Sequence, residues 1–234
     1  MFVGMNSLSA YLPFLYGWDY SFGLDMQKSS FCYTKSPDDN VIEKLIREYE
    51  DNPTLLKTGP KPADFPLLPR EILVNWLLCV PLVHVAKHSC VMVADDREDG
   101  TDGGLLDQTT GLTHFFQHVY VPTHETPRGV VQKINGLVVS KFQLKARKGI
   151  GYAEGIELVI FSDAVGLVEP TEINKLIEGV HGFKSVYVLA IEKKDKDGYH
   201  YWLTVLDSPR KYFTFRIIVP YDCSFRNCKV VQTY

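Results

Sequence analysis

The chain has 234 residues, of which 45% are hydrophobic, so it can bury a substantial core without disulfides or metals as staples. Its formal net charge of -3 at pH 7 argues against a protein whose whole surface is adapted to nucleic acid or to a membrane. Any surface of that kind must be local.

Cysteine usage and the N-terminal sequence predict an intracellular protein. The cysteines are widely spaced and include no CxxC pair, which is typical of the reducing cytoplasm or nucleus. The first residues lack the positive charge and the unbroken apolar core of a signal peptide. The longest apolar run contains Asn75, Pro81 and His84, so no membrane span is expected.

The domain organisation predicted from the sequence is an arm followed by one domain. Residues 1–35 are rich in aromatic side chains and show neither a helical nor a strand period. We expect them to form an aromatic arm that packs onto the main body, or alternatively one that binds a partner. Residues 36–234 are expected to form a single domain.

Two helices separated by a linker are predicted before the sheet. Ser36, followed by proline, is typical of a helix N-terminus, and this helix is expected to end near Asp51. The prolines of residues 54–69 forbid regular structure and predict a linker. The second helix begins at Pro69 and is apolar nearly all round, which predicts burial; Pro81 is expected to end it.

The middle of the chain is predicted to alternate strands with turns. A strand within residues 82–94 precedes an acidic, glycine-rich loop at 95–111, and the aromatic run at 114–122 indicates another strand. Asn135-Gly136 then lies between two apolar runs, a pattern that favours a type I′ turn and predicts a β-hairpin.

The segment 156–219 predicts the most regular part of the fold. A strand at 156–161 is followed by a helix that begins at Pro170, and further strands flank the Asp197-Gly198 turn. The fold class expected from all these elements is α+β, with a mainly antiparallel sheet, two N-terminal helices and one inserted helix.

The first chemical signal is a group of histidines, His114, His118 and His124. A spacing of four residues places His114 and His118 on one face of a strand or of a helix. Three imidazoles are able to bind zinc and leave a coordination position open for water. The alternative is that they are ordinary polar residues next to the acidic loop.

The second signal is Glu192-Lys193-Lys194 at the end of an apolar strand, with Asp163 as a candidate partner. These residues resemble the PD-(D/E)xK nuclease motif, which implies Mg²⁺ bound by Asp163 and Glu192 and a hydrolytic water positioned by Lys194. The match departs from the pattern, because Ser162 replaces the proline and a helix separates the two half-motifs. Alternatively, the charged turn serves solubility alone.

The third signal is a basic stretch without acids on the predicted hairpin. Alternating basic and apolar residues on its second strand predict one basic face and one buried face. Such a face suits an anionic partner, either protein or nucleic acid, although a solvated sheet face has the same pattern. The candidate partner-binding residues are Lys133, Lys141, Lys145, Arg147 and Lys148, and Arg128 begins the stretch.

No catalytic constellation is complete in the sequence. The function it favours is therefore a non-enzymatic binding or regulatory protein that engages a macromolecular partner through the basic β-hairpin. The alternative is a metal-dependent hydrolase, with either the nuclease-like residues Asp163, Glu192 and Lys194 or a zinc site at the histidines.

Overall fold

The computed structural model describes residues 32–33, 39–51, 69–94, 101–121, 132–163, 166–177, 179, 181–207 and 211–233. All of them belong to one compact unit, Phe31–Tyr234. The predicted aromatic arm therefore lies outside the described residues except for 32–33, and the predicted linker does so except for Pro69.

The helices described are α1 (Asp39–Asp51), α2 (Pro69–His84), α3 (Asn135–Ala146), α4 (Ile150–Ala153), α5 (Pro170–Ile177) and a 3₁₀ helix (Phe225–Asn227). None of these described helices has the length and apolar character needed to cross a membrane. The strands described are β1 (Cys32–Tyr33), β2 (Cys90–Ala94), β3 (Gly104–Asp107), β4 (Leu112–Val121), β5 (Gln132–Lys133), β6 (Ile156–Ser162), β7 (Gly166–Leu167), β8 (Val186–Asp195), β9 (Gly198–Asp207), β10 (Lys211–Val219) and β11 (Lys229–Gln232).

Nine of the described strands form one sheet in the order β1-β2-β3-β4-β6-β8-β9-β10-β11. The pairs β4-β6 and β6-β8 are parallel. The remaining neighbours in this sheet pair antiparallel. A mainly antiparallel α+β fold is thus confirmed, with a parallel centre that the sequence analysis did not predict. Parallel strands need crossover connections, and here α3 and α5 lie in them.

Helices cover the centre of the sheet on both faces. On one face Trp76 and Leu77 of α2 share a core with Phe161 of β6. On the other face Phe142 of α3 and Ile173 of α5 belong to a second core. Strand β4 contributes to both cores because successive side chains of a strand point to opposite faces. Burial on both faces is what parallel strands require.

The two N-terminal helices are confirmed, with one difference. Helix α2 is buried almost throughout, as its apolar sequence predicts, but it continues past Pro81 to His84. A proline removes the N–H of its own residue, yet its carbonyl still accepts. Here the N–H of Val85 donates to the Pro81 carbonyl at 2.9 Å, which supports the last turn.

The predicted β-hairpin at Asn135-Gly136 is wrong, because Asn135–Ala146 is helix α3. Val138, Val139 and Phe142 are buried at helical spacing, and this apolar stripe determines the structure. Leu144, which the hairpin would have placed in the core with Phe142, is 56% exposed. The basic residues that follow Asn135 therefore lie on a helix and its C-terminal turn.

Candidate metal centre

Three acidic or histidine side chains meet beside α2. Glu71 comes from the first turn of α2, Asp102 precedes β3, and His118 lies in β4. One potential ligand atom from each residue lies within 4.8 Å of the other two. Within the described part of the chain, this is the one group of three His, Cys, Asp or Glu residues with that geometry.

The backbone of β4 holds Asp102 in place. The N–H of Asp102 donates to the carbonyl of Phe116 at 2.7 Å, which extends the β3-β4 pairing by two residues. The N–H of His118 donates to Oδ2 of Asp102 at 2.6 Å. The carboxylate of Asp102 is therefore fixed by the same strand that supplies His118.

The imidazole of His118 is buried without a hydrogen-bond partner. Its relative exposure is 3%, and neither ring nitrogen has a partner among the described residues. An unsatisfied buried polar group costs about 1–3 kcal/mol. Burial, with the charges of Arg70 and Lys145, holds the pKa of His118 well below its usual range. The neutral imidazole is the form that binds metal ions.

A polar chain continues from this group along α2 and β4. Nη2 of Arg70 lies 3.5 Å from Oε1 of Glu71, and its guanidinium carbon is 5.7 Å from the centre of the Tyr120 ring. The Tyr120 hydroxyl donates to Oδ2 of Asp163 at 2.5 Å. Burial and this hydrogen bond raise the pKa of Tyr120. Asp163, the predicted acid, is thus linked to Glu71 through Tyr120 and Arg70.

A second polar group lies on the opposite face of β4. Gln117 is buried, and its side-chain oxygen accepts from Nζ of Lys145 at 2.6 Å and from the Tyr152 hydroxyl. Nζ of Lys148 lies 4.5 Å from the centre of the Tyr152 ring. Lys141, Lys145 and Lys148 are spaced so that they share one side of α3 and its C-terminal turn.

Of the two predicted zinc ligands that the structure describes, one belongs to the candidate centre. His118 belongs to it. His114 instead contacts Oε1 of Glu157 through Nδ1 at 2.9 Å, and His124 lies outside the described residues.

The predicted nuclease residues have different partners from one another. Asp163 accepts from Tyr120, whereas Glu192 receives two hydrogen bonds of 2.9 Å from Arg216. Nζ of Lys194 lies over the ring of Tyr199 at 5.2 Å.

The predicted basic residues also have different partners from one another. Lys133 lies in β5 and contacts Glu169 at 2.8 Å and Glu172 at 3.0 Å. Both hydrogen bonds raise its pKa. Lys145 is turned toward Gln117, and Arg147 is exposed just after α3.

Sequence reasoning missed Glu71 and Asp102. Glu71 had a recognisable signal, since it is a carboxylate in a helix that is apolar nearly all round and therefore buried. Asp102 had none, because it is one of several acids in the loop at 95–111.

Comparison with known proteins does not identify the chain: no family model matches it, and no curated protein is similar to it.

Proposed function

We propose that this protein is a divalent-metal-dependent hydrolase of phosphodiester bonds, with Glu71, Asp102 and His118 as the metal ligands. One observation carries the proposal. The three ligand atoms lie within 4.8 Å of one another, and the buried ring nitrogens of His118 have no partner among the described residues. A bound cation would give this imidazole a partner and would be held by the two carboxylates beside it.

The donor set has the chemistry for this role. Two carboxylates and a neutral imidazole supply a charge of -2, which a divalent cation compensates. Three protein ligands leave coordination positions for water and substrate. A cation held there lowers the pKa of bound water and polarises a phosphoryl oxygen, which are the two requirements of phosphodiester hydrolysis.

The order of the residues along the chain also supports this class. Asp102 and His118 are joined directly through β3 and the β3-β4 turn, as the half-motifs of PD-(D/E)xK enzymes commonly are. Only the direct connection of the two half-motifs is closer to that pattern here than at Asp163, Glu192 and Lys194. It still departs from the motif, since His118 and Tyr120 stand where a carboxylate and a lysine are usual.

The substrate class follows from nearby positive charge. Lys141, Lys145 and Lys148 share one side of α3 and its following turn, and Lys145 contacts Gln117, the neighbour of His118. Burial is the main cause of the lowered pKa of His118, and the charges of Arg70 and Lys145 add to it. These lysines lie on the opposite face of β4 from His118, so they would contact a phosphate backbone away from the metal, and we propose a nucleic acid as the substrate.

The metal site is tested by calorimetric titration of Mn²⁺ into protein stripped with EDTA and dialysed. We expect the wild type to bind and Asp102→Asn and His118→Gln to lose most of the affinity. Asp197→Asn is the matched control, because Asp197 is exposed in the β8-β9 turn. Unchanged binding in both site variants would rule out this centre.

The activity is tested on labelled single- and double-stranded DNA and RNA with Mn²⁺. We expect cleavage by the wild type that is lost in Glu71→Gln. His114→Gln separates this proposal from the predicted histidine site, because His114 lies in a different cluster. It should retain cleavage. Metal binding without cleavage of any of these substrates would reject the substrate class.

A second candidate is non-enzymatic binding of an anionic partner, and the basic side of α3 favours it. Charge reversal of Lys141, Lys145 and Lys148 tests it in EDTA, where metal-dependent hydrolysis is absent. Loss of nucleic-acid binding, measured by fluorescence anisotropy, is expected if this helix contacts the partner. Unchanged anisotropy would exclude the helix as the contact surface.

A further inference from the structure

Arg70 is a buried cation immediately beside the candidate metal centre. Its side chain is only 13% exposed, and its one close ionic contact described is Nη2 to Glu71 at 3.5 Å. Its Nε is buried without a hydrogen-bond partner among the described residues. A guanidinium carries five donors and stays charged at all physiological pH values. Arg70 therefore has donor capacity that its described contacts do not use.

The contact with Glu71 is weak for a buried ion pair. It is a single contact at the long end of the hydrogen-bond range, whereas arginine and carboxylate commonly form two shorter parallel bonds. The Arg216–Glu192 pair of the same protein has that two-bond form, with both distances at 2.9 Å. The geometry of Arg70 is thus not optimised for Glu71.

We propose that Arg70 binds the anionic group of the substrate beside the metal, and that it compensates the charge of Glu71 while no cation is bound there. This inference rests on the proposed metal-dependent hydrolysis. A divalent cation bound to Glu71 would compensate the charge of that carboxylate in place of Arg70. Its guanidinium then stays near the Tyr120 ring and presents donors to a phosphoryl oxygen.

The proposal makes metal affinity and catalysis respond in opposite directions. The positive charge of Arg70 repels a cation at the centre, because Nη2 of Arg70 lies 3.5 Å from Oε1 of Glu71, one of the proposed ligands. Arg70→Gln should therefore leave Mn²⁺ affinity unchanged or raise it. The same variant should lower kcat/KM by about 10²-fold to 10³-fold, the loss typical when a donor to a developing oxyanion is removed.

Arg70→Lys and Arg70→Ala complete this series. Lysine keeps the charge but not the planar pair of donors, so we expect an activity between those of the wild type and Arg70→Gln. Guanidinium ion added to Arg70→Ala should restore part of the activity. A fall in Mn²⁺ affinity in Arg70→Gln, or wild-type kcat/KM in that variant, would overturn the proposal. Circular dichroism and a melting curve establish that each variant is folded.

A second measurement does not depend on metal or hydrolysis. In EDTA, Glu71→Gln removes the carboxylate that Arg70 contacts, so this variant should bind inorganic phosphate more tightly than the wild type. The double variant Arg70→Gln/Glu71→Gln should lose the gain. If phosphate binding follows Arg70 while the wild type binds no Mn²⁺, the metal-dependent function fails and the anion site stands. If Mn²⁺ binds and cleavage occurs but phosphate binding is the same with and without Arg70, the metal-dependent function stands and the anion site at Arg70 fails.

Discussion

Two clusters of acids and histidines lie on the same face of β4, and they differ in how their imidazole groups are bonded. In the first, Glu157 is 2% exposed. Its Oε1 contacts Nδ1 of His114 at 2.9 Å and Nζ of Lys184 at 3.4 Å, and its Oε2 accepts from the Tyr187 hydroxyl at 2.8 Å. Each carboxylate oxygen has a donor.

The second cluster, Glu71, Asp102 and His118, has the same residue types and a similar degree of burial. It differs because two carboxylates converge on an imidazole whose nitrogens have no partner in the described part of the chain. The comparison shows that burial and composition do not distinguish a structural charge cluster from a ligand site. The bonding of the imidazole does so, because Nδ1 of His114 contacts Glu157, whereas neither ring nitrogen of His118 has a partner among the described residues.

The first prediction contrasts the two clusters by stability. Glu157→Ala removes the shared acceptor of His114, Lys184 and Tyr187, so the free energy of unfolding should fall by about 3–5 kcal/mol. His118→Leu removes a group that makes no described hydrogen bond, so it should change that free energy by less than about 1 kcal/mol or increase it. Urea unfolding measures both. Equal losses would remove the distinction between the clusters.

The second prediction concerns stabilisation by metal. A ligand that binds only the folded state at 100 times its Kd adds about 2.7 kcal/mol to the free energy of unfolding. Mn²⁺ should raise the melting temperature of the wild type accordingly and leave that of His118→Leu unchanged. Scanning calorimetry with and without EDTA provides the measurement. An identical rise in melting temperature in both proteins would show that the ion binds at a site without His118.

How far the sequence predicts these clusters depends on how local their contacts are. His118 was identified because its spacing from His114 is a property of one strand. Its partners were not, since Glu71 and Asp102 reach it only through the packing of α2 and the pairing of β3 with β4. The fold shows the same limit. Strands β8, β9 and β10 follow from alternation and turn residues, but the parallel pairing of β4, β6 and β8 is a non-local property.

Helix α3 shows how a strong local signal fails. Asn-Gly favours a tight turn, but here the side chain of Asn135 connects two other elements. Its Nδ2 donates to Glu172 at 2.8 Å, and its Oδ1 accepts from the N–H of Glu169 at 2.9 Å. Asn135 thereby joins the start of α3 to the start of α5. No neighbour in the sequence indicates this role.

The third prediction uses the imidazole in the donor set. Nitrogen ligands favour Mn²⁺ or Zn²⁺ over Mg²⁺, which prefers an all-oxygen site. We expect Mn²⁺ to bind on the order of ten-fold more tightly than Mg²⁺. His118→Asp replaces nitrogen with oxygen and should narrow this ratio. Competition titrations on both proteins measure it, and an unchanged ratio would show that His118 does not bind the ion.

The last prediction concerns the pH dependence of the cluster around Glu157. Burial pushes the pKa of Glu157 upward, but hydrogen bonds from His114 and Tyr187 and the charge of Lys184 outweigh it, so the pKa lies below its usual value of 4.5. A carboxyl whose pKa is lower in the folded state contributes stability above its unfolded pKa and loses it as the pH falls through the folded value.

Stability should therefore fall between about pH 5 and the folded pKa, by about 1.4 kcal/mol for each unit of depression. Glu157→Gln cannot titrate, so its stability should fall less over this range. Glu48→Gln is the control, because Glu48 is exposed on α1. Urea midpoints between pH 7 and pH 3 give the difference between each variant and the wild type. If Glu157→Gln follows the wild-type curve, the carboxylate of Glu157 does not hold this cluster together.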